Sequence, residues 1–302
     1  MNDATLSHFD PRLLATLGSL DLKARYVVEG FLSGLHESPF HGFSVEFSEY
    51  REYEPGDDLR HVDWKLFARS DRLYVKQYMQ ETNVRFYVLI DTSRSMEYRG
   101  SAAWGSKLEV ARVVAAALTW LMLQQNDAVG MLAMTSASDV PDFIRPSQKP
   151  SQFGMLMRHF ERLAPVGEDR LAALLTHAAR LMHRRSMVLL LSDLLEPAES
   201  LTDILRELRF SGHDVLVFQV LDRDELEFPF DADGVFEDLE TGTRRLIDPR
   251  LAREKYLERF NAFKERHVEQ FRGLQMQHRV LRTDEPPRDA LASLLAERRR
   301  LS

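Results

Sequence analysis

The 302-residue chain contains no cysteine. Disulfides, zinc–thiolate sites and thiol nucleophiles are therefore excluded, and a reducing compartment is the natural fit. A long apolar run is also missing. The longest, residues 113–123, contains Thr119 and falls short of the roughly 20 residues that cross a bilayer. The opening residues MNDATLSHFD hold no basic segment followed by an apolar stretch, so a secretory signal is not expected. Positive charge is in deficit, with a formal net charge of −7, which argues against a general affinity for nucleic acid or anionic membrane. No G-x-S-x-G elbow, P-loop or G-x-G-x-x-G fingerprint occurs, nor any internal repeat or low-complexity segment. The ten histidines are scattered without metal-ligand spacing. The expectation is a soluble, cytoplasmic protein with no membrane insertion and no nucleic-acid partner.

What is present is the composition of a globular protein, 44% apolar and 29% charged. Residues 10–35 have helical periodicity through Leu13, Leu17, Leu20, Val27, Val28 and Phe31. Phe43, Val45 and Phe47 alternate with polar residues, as do Leu73, Val75, Gln77 and Met79, and 54–57 reads as a turn. Residues 36–82 are thus expected to form a small antiparallel β unit with a charged loop. From residue 84 the strands become continuously apolar (84–90, 128–134, 187–191, 215–221) and helices separate them (107–125, 151–163, 170–183, 198–210). That pattern predicts an α/β fold with a doubly wound, mainly parallel sheet and helices on both faces. Residues 222–249 interrupt it with a hairpin insertion whose turn lies at 240–243. A charged helix at 250–276 with a core face of Tyr256, Phe260, Phe263, Val268 and Phe271, a short strand at 280–281 and a closing helix at 287–300 complete the chain. The expected division is 1–82, an N-terminal helix and β unit, and 83–302, the α/β domain.

Two of the apolar strands end in oxygen-bearing side chains. One runs into Asp91-Thr92-Ser93-Arg94-Ser95, the other into Ser192-Asp193. In an open parallel sheet, ligands bind beyond the carboxyl ends of the strands, near the point where strand order reverses. Residues two apart in an extended stretch point the same way, so Asp91, Ser93 and Ser95 can present three oxygens to one point, with Asp193 supplying a carboxylate nearby. Such a sulfur-free set suits a hard cation, Mg²⁺ first and Mn²⁺ next. The competing local reading is that Asp91 opens a turn and the serines cap the next helix.

Asp91-x-Ser93-x-Ser95 after VRFYVLI resembles the metal-ion-dependent adhesion site of von Willebrand factor A-type domains. The upstream stretch EFSEYREYEPGDDLRHVDWKLFARSDRLYVKQYMQE is more specific. Through Glu46-Phe47, Arg51-x-Tyr53-x-Pro55-Gly56-Asp57-Asp58-x-Arg60-x-x-Asp63-Trp64-Lys65, Ala68-Arg69 and Glu81 it resembles the bacterial family labelled domain of unknown function 58. The resemblance implies a six-stranded von Willebrand factor A-like core with a β elaboration. It also implies work beside a MoxR-type AAA+ ATPase, and with other A-type domain proteins, in assembly, chaperone-like or stress functions. It places Asp91, Ser93 and Ser95 in the first metal loop and Asp193 after the later strand. The threonine of the intervening loop is not evident; Asp169, in Pro165-Val166-Gly167-Glu168-Asp169, takes its place.

Residues 51–72 mix both signs of charge. Arg–carboxylate pairing within the loop is the simpler reading. A partner-docking surface built from Arg51, Arg60, Asp63, Trp64, Lys65 and Arg69 is the functional one. Three readings of the whole chain follow. The favoured one is a non-enzymatic interaction module in which the cation bridges to a carboxylate on a partner. The second is a Mg²⁺-dependent hydrolase or phosphoryl-transfer enzyme. The third is a structural scaffold with an inactive metal site.

Overall fold

The computed structural model describes residues 14, 16–36, 50–52, 72, 74–76, 84–135, 140–167, 170–196, 198–287 and 291–292. Helix α1 spans Leu20–His36; of the helix expected from residue 10, Leu14 and Thr16 are helical as well, and residues 17–19 interrupt it. Strands β1 (Tyr50–Glu52) and β2 (Tyr74–Lys76) pair antiparallel, Arg51 opposite Val75. They are the described part of the expected β unit; its Phe43–Val45–Phe47 stretch lies outside the described residues. Then follow β3 (Arg85–Ile90), a 3-10 turn (Arg94–Glu97), α2 (Lys107–Gln124), β4 (Ala128–Ala133), β5 (Asp142–Ser147), α3 (Ser151–Arg162) and α4 (Leu171–Leu181). The chain continues through β6 (Met187–Ser192), α5 (Ala198–Phe210), β7 (Asp214–Leu221), α6 (Arg223–Glu227), the hairpin β8 (Gly234–Glu237) and β9 (Arg244–Ile247), α7 (Pro249–Gly273) and β10 (Gln277–Arg282). Of the closing helix expected at 287–300, Pro287, Leu291 and Ala292 are described; Pro287 lies in a turn, and Leu291 and Ala292 are helical. None of the described helices is long and apolar enough to cross a membrane.

Six strands form the central sheet in the order β10-β7-β6-β3-β4-β5, parallel throughout except for β5. The period of two in a strand divides the core between its faces. Phe86, Val88 and Ile90 pack with α1, α2 and α3 on one side. Tyr87 packs with α4, α5 and Phe271 of α7 on the other. Helix α2 is buried nearly all round because the sheet lies beneath it and α1 and α3 lie over it. Its start is fixed by a capping box: Ser106 Oγ accepts from Glu109 N at 3.2 Å, and Glu109 Oε2 accepts from Ser106 N at 2.8 Å.

Strand β5 is absent from the sequence reading. Proline flanks and interrupts it (Pro141, Pro146), and an edge position leaves it half-exposed, so neither an apolar run nor clean alternation marks it. The register slips between Val129 and Met131. There Gly130 comes so close to β5 that a Cβ would stand 2.5 Å from Ile144 O. Buried Gln152 closes the irregularity, donating to Val129 O at 2.7 Å and Arg145 O at 3.0 Å. Helix α7 departs from its expected core face. Only Pro249, His267 and Phe271 are buried. Tyr256, Phe260 and Phe263 form a half-buried stack along it, with ring centroids 5.5 and 6.4 Å apart.

Replacing Gly130 with alanine forces β5 away from β4. A loss of about 1–3 kcal/mol is expected from such overpacking, read as a lower urea midpoint at unchanged slope.

Candidate metal centre

The sheet order reverses between β3 and β6, and their register pairs Ile90 with Leu191. Asp91 therefore lies beside Ser192, with its backbone N–H donating to Leu191 O at 2.9 Å. Ser192 Oγ donates to Asp91 Oδ2 at 2.5 Å, and Ser93 N donates to Asp91 Oδ1 at 2.8 Å. Burial, then the charge of Asp193, pushes the Asp91 carboxyl up to about 7, with the hydrogen bonds from Ser192 and Ser93 pulling the other way. The loop beyond it is held from both sides. Thr92 Oγ1 donates to Met134 O at 2.5 Å, and Val166 N donates to Thr92 O at 2.7 Å. Ser93 and Val166 form a parallel bridge.

Asp91, Ser93 and Ser95 are all buried and gathered together. The Ser93 and Ser95 hydroxyls stand 3.0 Å apart. The route differs from the expected one. Ser93 is extended, but Ser95 lies in the 3-10 turn, so the fold of that turn, anchored by buried Met96, brings Ser95 back toward Ser93.

Asp193 is also at the rim, but it is engaged. Its Oδ2 accepts from Lys107 Nζ at 2.8 Å, and the same ammonium reaches Glu225 Oε1 at 2.7 Å. The Lys107 side chain has no exposed surface. Burial alone would lower its pKa; the Asp193 and Glu225 carboxylates outweigh that and hold it above the ordinary lysine range. Burial raises the Glu225 carboxyl against the pull of Lys107. Leu194, next to Asp193, takes a left-handed backbone (φ 56°) with its side chain fully buried. Lys107 was not singled out in the sequence. Its signal was there: a cation in the first turn of a helix opposes the helix dipole, so something other than the helix must hold it.

The second residue that sequence reasoning missed is Glu240, in the expected turn of the inserted hairpin. Glu240 Oε1 accepts from Ser95 N at 2.6 Å. Its Oε2 is buried without a partner among the described residues.

This donor set fits a hard divalent cation of the Mg²⁺ type. Carboxylate and hydroxyl oxygens are the ligands such ions take, and the Glu240 carboxylate that reaches Ser95 N has a second oxygen without a partner among the described residues. No group of three His, Cys, Asp or Glu side chains able to hold a metal occurs among the described residues. One carboxylate and two hydroxyls would leave several of such an ion's positions to water. Asp91, Ser93 and Ser95 would hold it, while Asp193 answers first to Lys107. Asp169 lies outside the described residues, although Val166 just before it borders Thr92 and Ser93. Among the docking candidates, Arg51 contributes backbone pairing in β1; Arg60, Asp63, Trp64, Lys65 and Arg69 lie outside the described residues.

Replacing Lys107 with methionine leaves two buried carboxylates without their cation. A loss of about 3–5 kcal/mol is expected, measured by chemical denaturation; a change below 1 kcal/mol would show that the pair is not needed.

A family profile described as protein of unknown function DUF58 matches residues 49–268. The uncharacterized protein Rv1480 of Mycobacterium tuberculosis is 31% identical over 299 residues, 96% of this chain and 91% of its own length. Among solved structures, the chain is similar to the conserved hypothetical protein BatB of Bacteroides thetaiotaomicron, with 14% identity and a TM-score of 0.47 over 71% of this chain and 98% of that one. It is also similar to the SpRpn10 VWA domain, with 10% identity and a TM-score of 0.39 over 70% of this chain and 94% of that one. The strand order and the family match agree: the chain belongs to the DUF58 family and carries a von Willebrand factor A-like α/β fold.

Proposed function

We propose that this chain is a cation-dependent protein-interaction module that turns over no substrate. The observation that carries the reading is the buried oxygen cluster of Asp91, Ser93 and Ser95 at the point where the sheet order reverses. A bound Mg²⁺ or Mn²⁺ supplies positive charge and a coordination position that an outside carboxylate can fill. Asp91, Ser93 and Ser95 hold it, with Asp193 at the same rim but paired with Lys107. The Ser93 and Ser95 hydroxyls hydrogen-bond to each other and, among the described residues, not to a base, which favours binding over nucleophilic chemistry. The proposed partner is a MoxR-type AAA+ ATPase presenting an acidic residue, a choice that rests on family resemblance. The scaffold reading keeps one specific observation in its favour: Lys107 already neutralises Asp193.

The test is a calorimetric titration of Mg²⁺ and Mn²⁺ into metal-stripped protein. Saturable binding is expected in the wild type and its loss in Asp91→Ala. Absence of binding in the wild type would favour the scaffold. Capture of the ATPase is then compared with and without chelator. Loss with chelator is expected; equal capture would overturn the bridge. Phosphoester turnover that disappears in Asp91→Ala would replace the reading with an enzyme.

A further inference from the structure

The hairpin between β7 and β10 carries its tip back onto the rim of the sheet. Two features fix that tip. Asp238 Oδ1 accepts from Glu240 N at 2.9 Å and from Thr241 N at 3.1 Å. Gly242 takes a left-handed backbone (φ 69°), and its N–H donates to Asp238 O at 2.7 Å. The base is fixed as well: Phe236 stacks on Phe228 at 5.7 Å and meets Phe230 edge-on at 5.2 Å, while Phe228 packs on Tyr256 of α7 at 4.6 Å. The placement of Glu240 is therefore built into the hairpin.

The Glu240 carboxylate uses one oxygen on the Ser95 N–H and has a second, buried oxygen with no partner. Leaving a carboxylate oxygen so is costly. The Lys107 ammonium is bonded to Asp193 and Glu225. Two carboxylates, Asp91 and Glu240, thus approach the same pair of serines from opposite ends of the chain. Each is bonded to that short loop: Asp91 to Ser93 N, Glu240 to Ser95 N.

The geometry points to Glu240 as the chain's own carboxylate ligand for the cation at Asp91, Ser93 and Ser95, filling the position that a partner's carboxylate would take. This rests on the cation reading above and adds a requirement to it. A tethered carboxylate acts at an effective concentration in the millimolar range or above. A partner therefore has to displace the hairpin tip, and a single free carboxylate does not suffice.

The experiment compares the full-length wild type, Glu240→Gln and the control Glu237→Gln, a change at an exposed pair with Arg244 on the same hairpin. Glutamine keeps an acceptor for the Ser95 N–H and removes only the charge. Mg²⁺ affinity is read by calorimetry, and hairpin opening by amide hydrogen exchange over residues 234–247. The expected result is about a tenfold weaker Mg²⁺ affinity in Glu240→Gln, roughly 1.4 kcal/mol, with Glu237→Gln unchanged. Mg²⁺ should slow exchange in the hairpin of the wild type and not of Glu240→Gln. Equal Mg²⁺ binding by wild type and Glu240→Gln, with exchange indifferent to the ion, would overturn the inference and leave the cation site standing, Glu240 then serving only to cap the 3-10 turn. Tighter binding by Glu240→Gln would overturn it too. No Mg²⁺ binding by any of the proteins would remove the cation reading and this inference together.

Discussion

An ammonium group with no exposed surface holds the rim of this protein together. Lys107 opens α2, Asp193 follows β6 and Glu225 sits in the short helix after β7. One side chain thereby ties the segments that follow three of the central strands β3, β6 and β7. Taking such charges out of water is expensive, and the geometry must be good to recover the cost. The surroundings provide that geometry. Glu225 Oε2 accepts from Asp222 N at 2.8 Å, completing a capping box, and Asp222 Oδ2 in turn accepts from Gly100 N at 3.0 Å and Thr283 Oγ1 at 2.6 Å. Glycine at 100 permits this approach, because a Cβ would stand 2.1 Å from Asp222 Oδ1 and force that side chain to move. The candidate cation loop is thus flanked by a polar framework whose members have little freedom to move.

Much of this was legible in the sequence. Strands buried on both faces leave continuous apolar runs, and four of the parallel strands were marked that way. The fifth, β10, was readable only at Val280-Leu281, because Gln277, His278 and Arg279 lie at a sheet edge where polar side chains reach water. The antiparallel strand β5 escaped for the reasons its prolines and its Gly130 contact make plain. The cation loop was legible because its oxygens are close in sequence and follow an unmistakable strand. Lys107 and Glu240 were not, because what gives them meaning is a partner 86 and 145 residues away. Periodicity reports which face a residue occupies, never which distant side chain will meet it.

Asp193 illustrates the same limit from the other side. Its position after β6 was right, and its chemistry was incomplete. A carboxylate bonded to a buried lysine has less charge to offer a second cation than a free one. Asp91, by contrast, is bonded among the described residues to neutral donors. The two aspartates that look equivalent as sequence motifs are therefore unequal in electrostatic terms.

The span of these rim contacts also sets an order of events in folding. Ser95 and Glu240 meet across 145 residues, and Lys107 and Glu225 across 118. Closing loops of that size costs more chain entropy than pairing neighbouring elements. The hairpin tip is carried by the connection between β7 and the edge strand β10, so a ribosome must release most of the chain before the tip exists to close. During synthesis β3 and β6 emerge with their oxygen-bearing ends before the hairpin tip, and the rim is completed late. The nascent chain therefore passes through a stage in which the Asp91–Ser95 loop exists and Glu240 has not yet arrived.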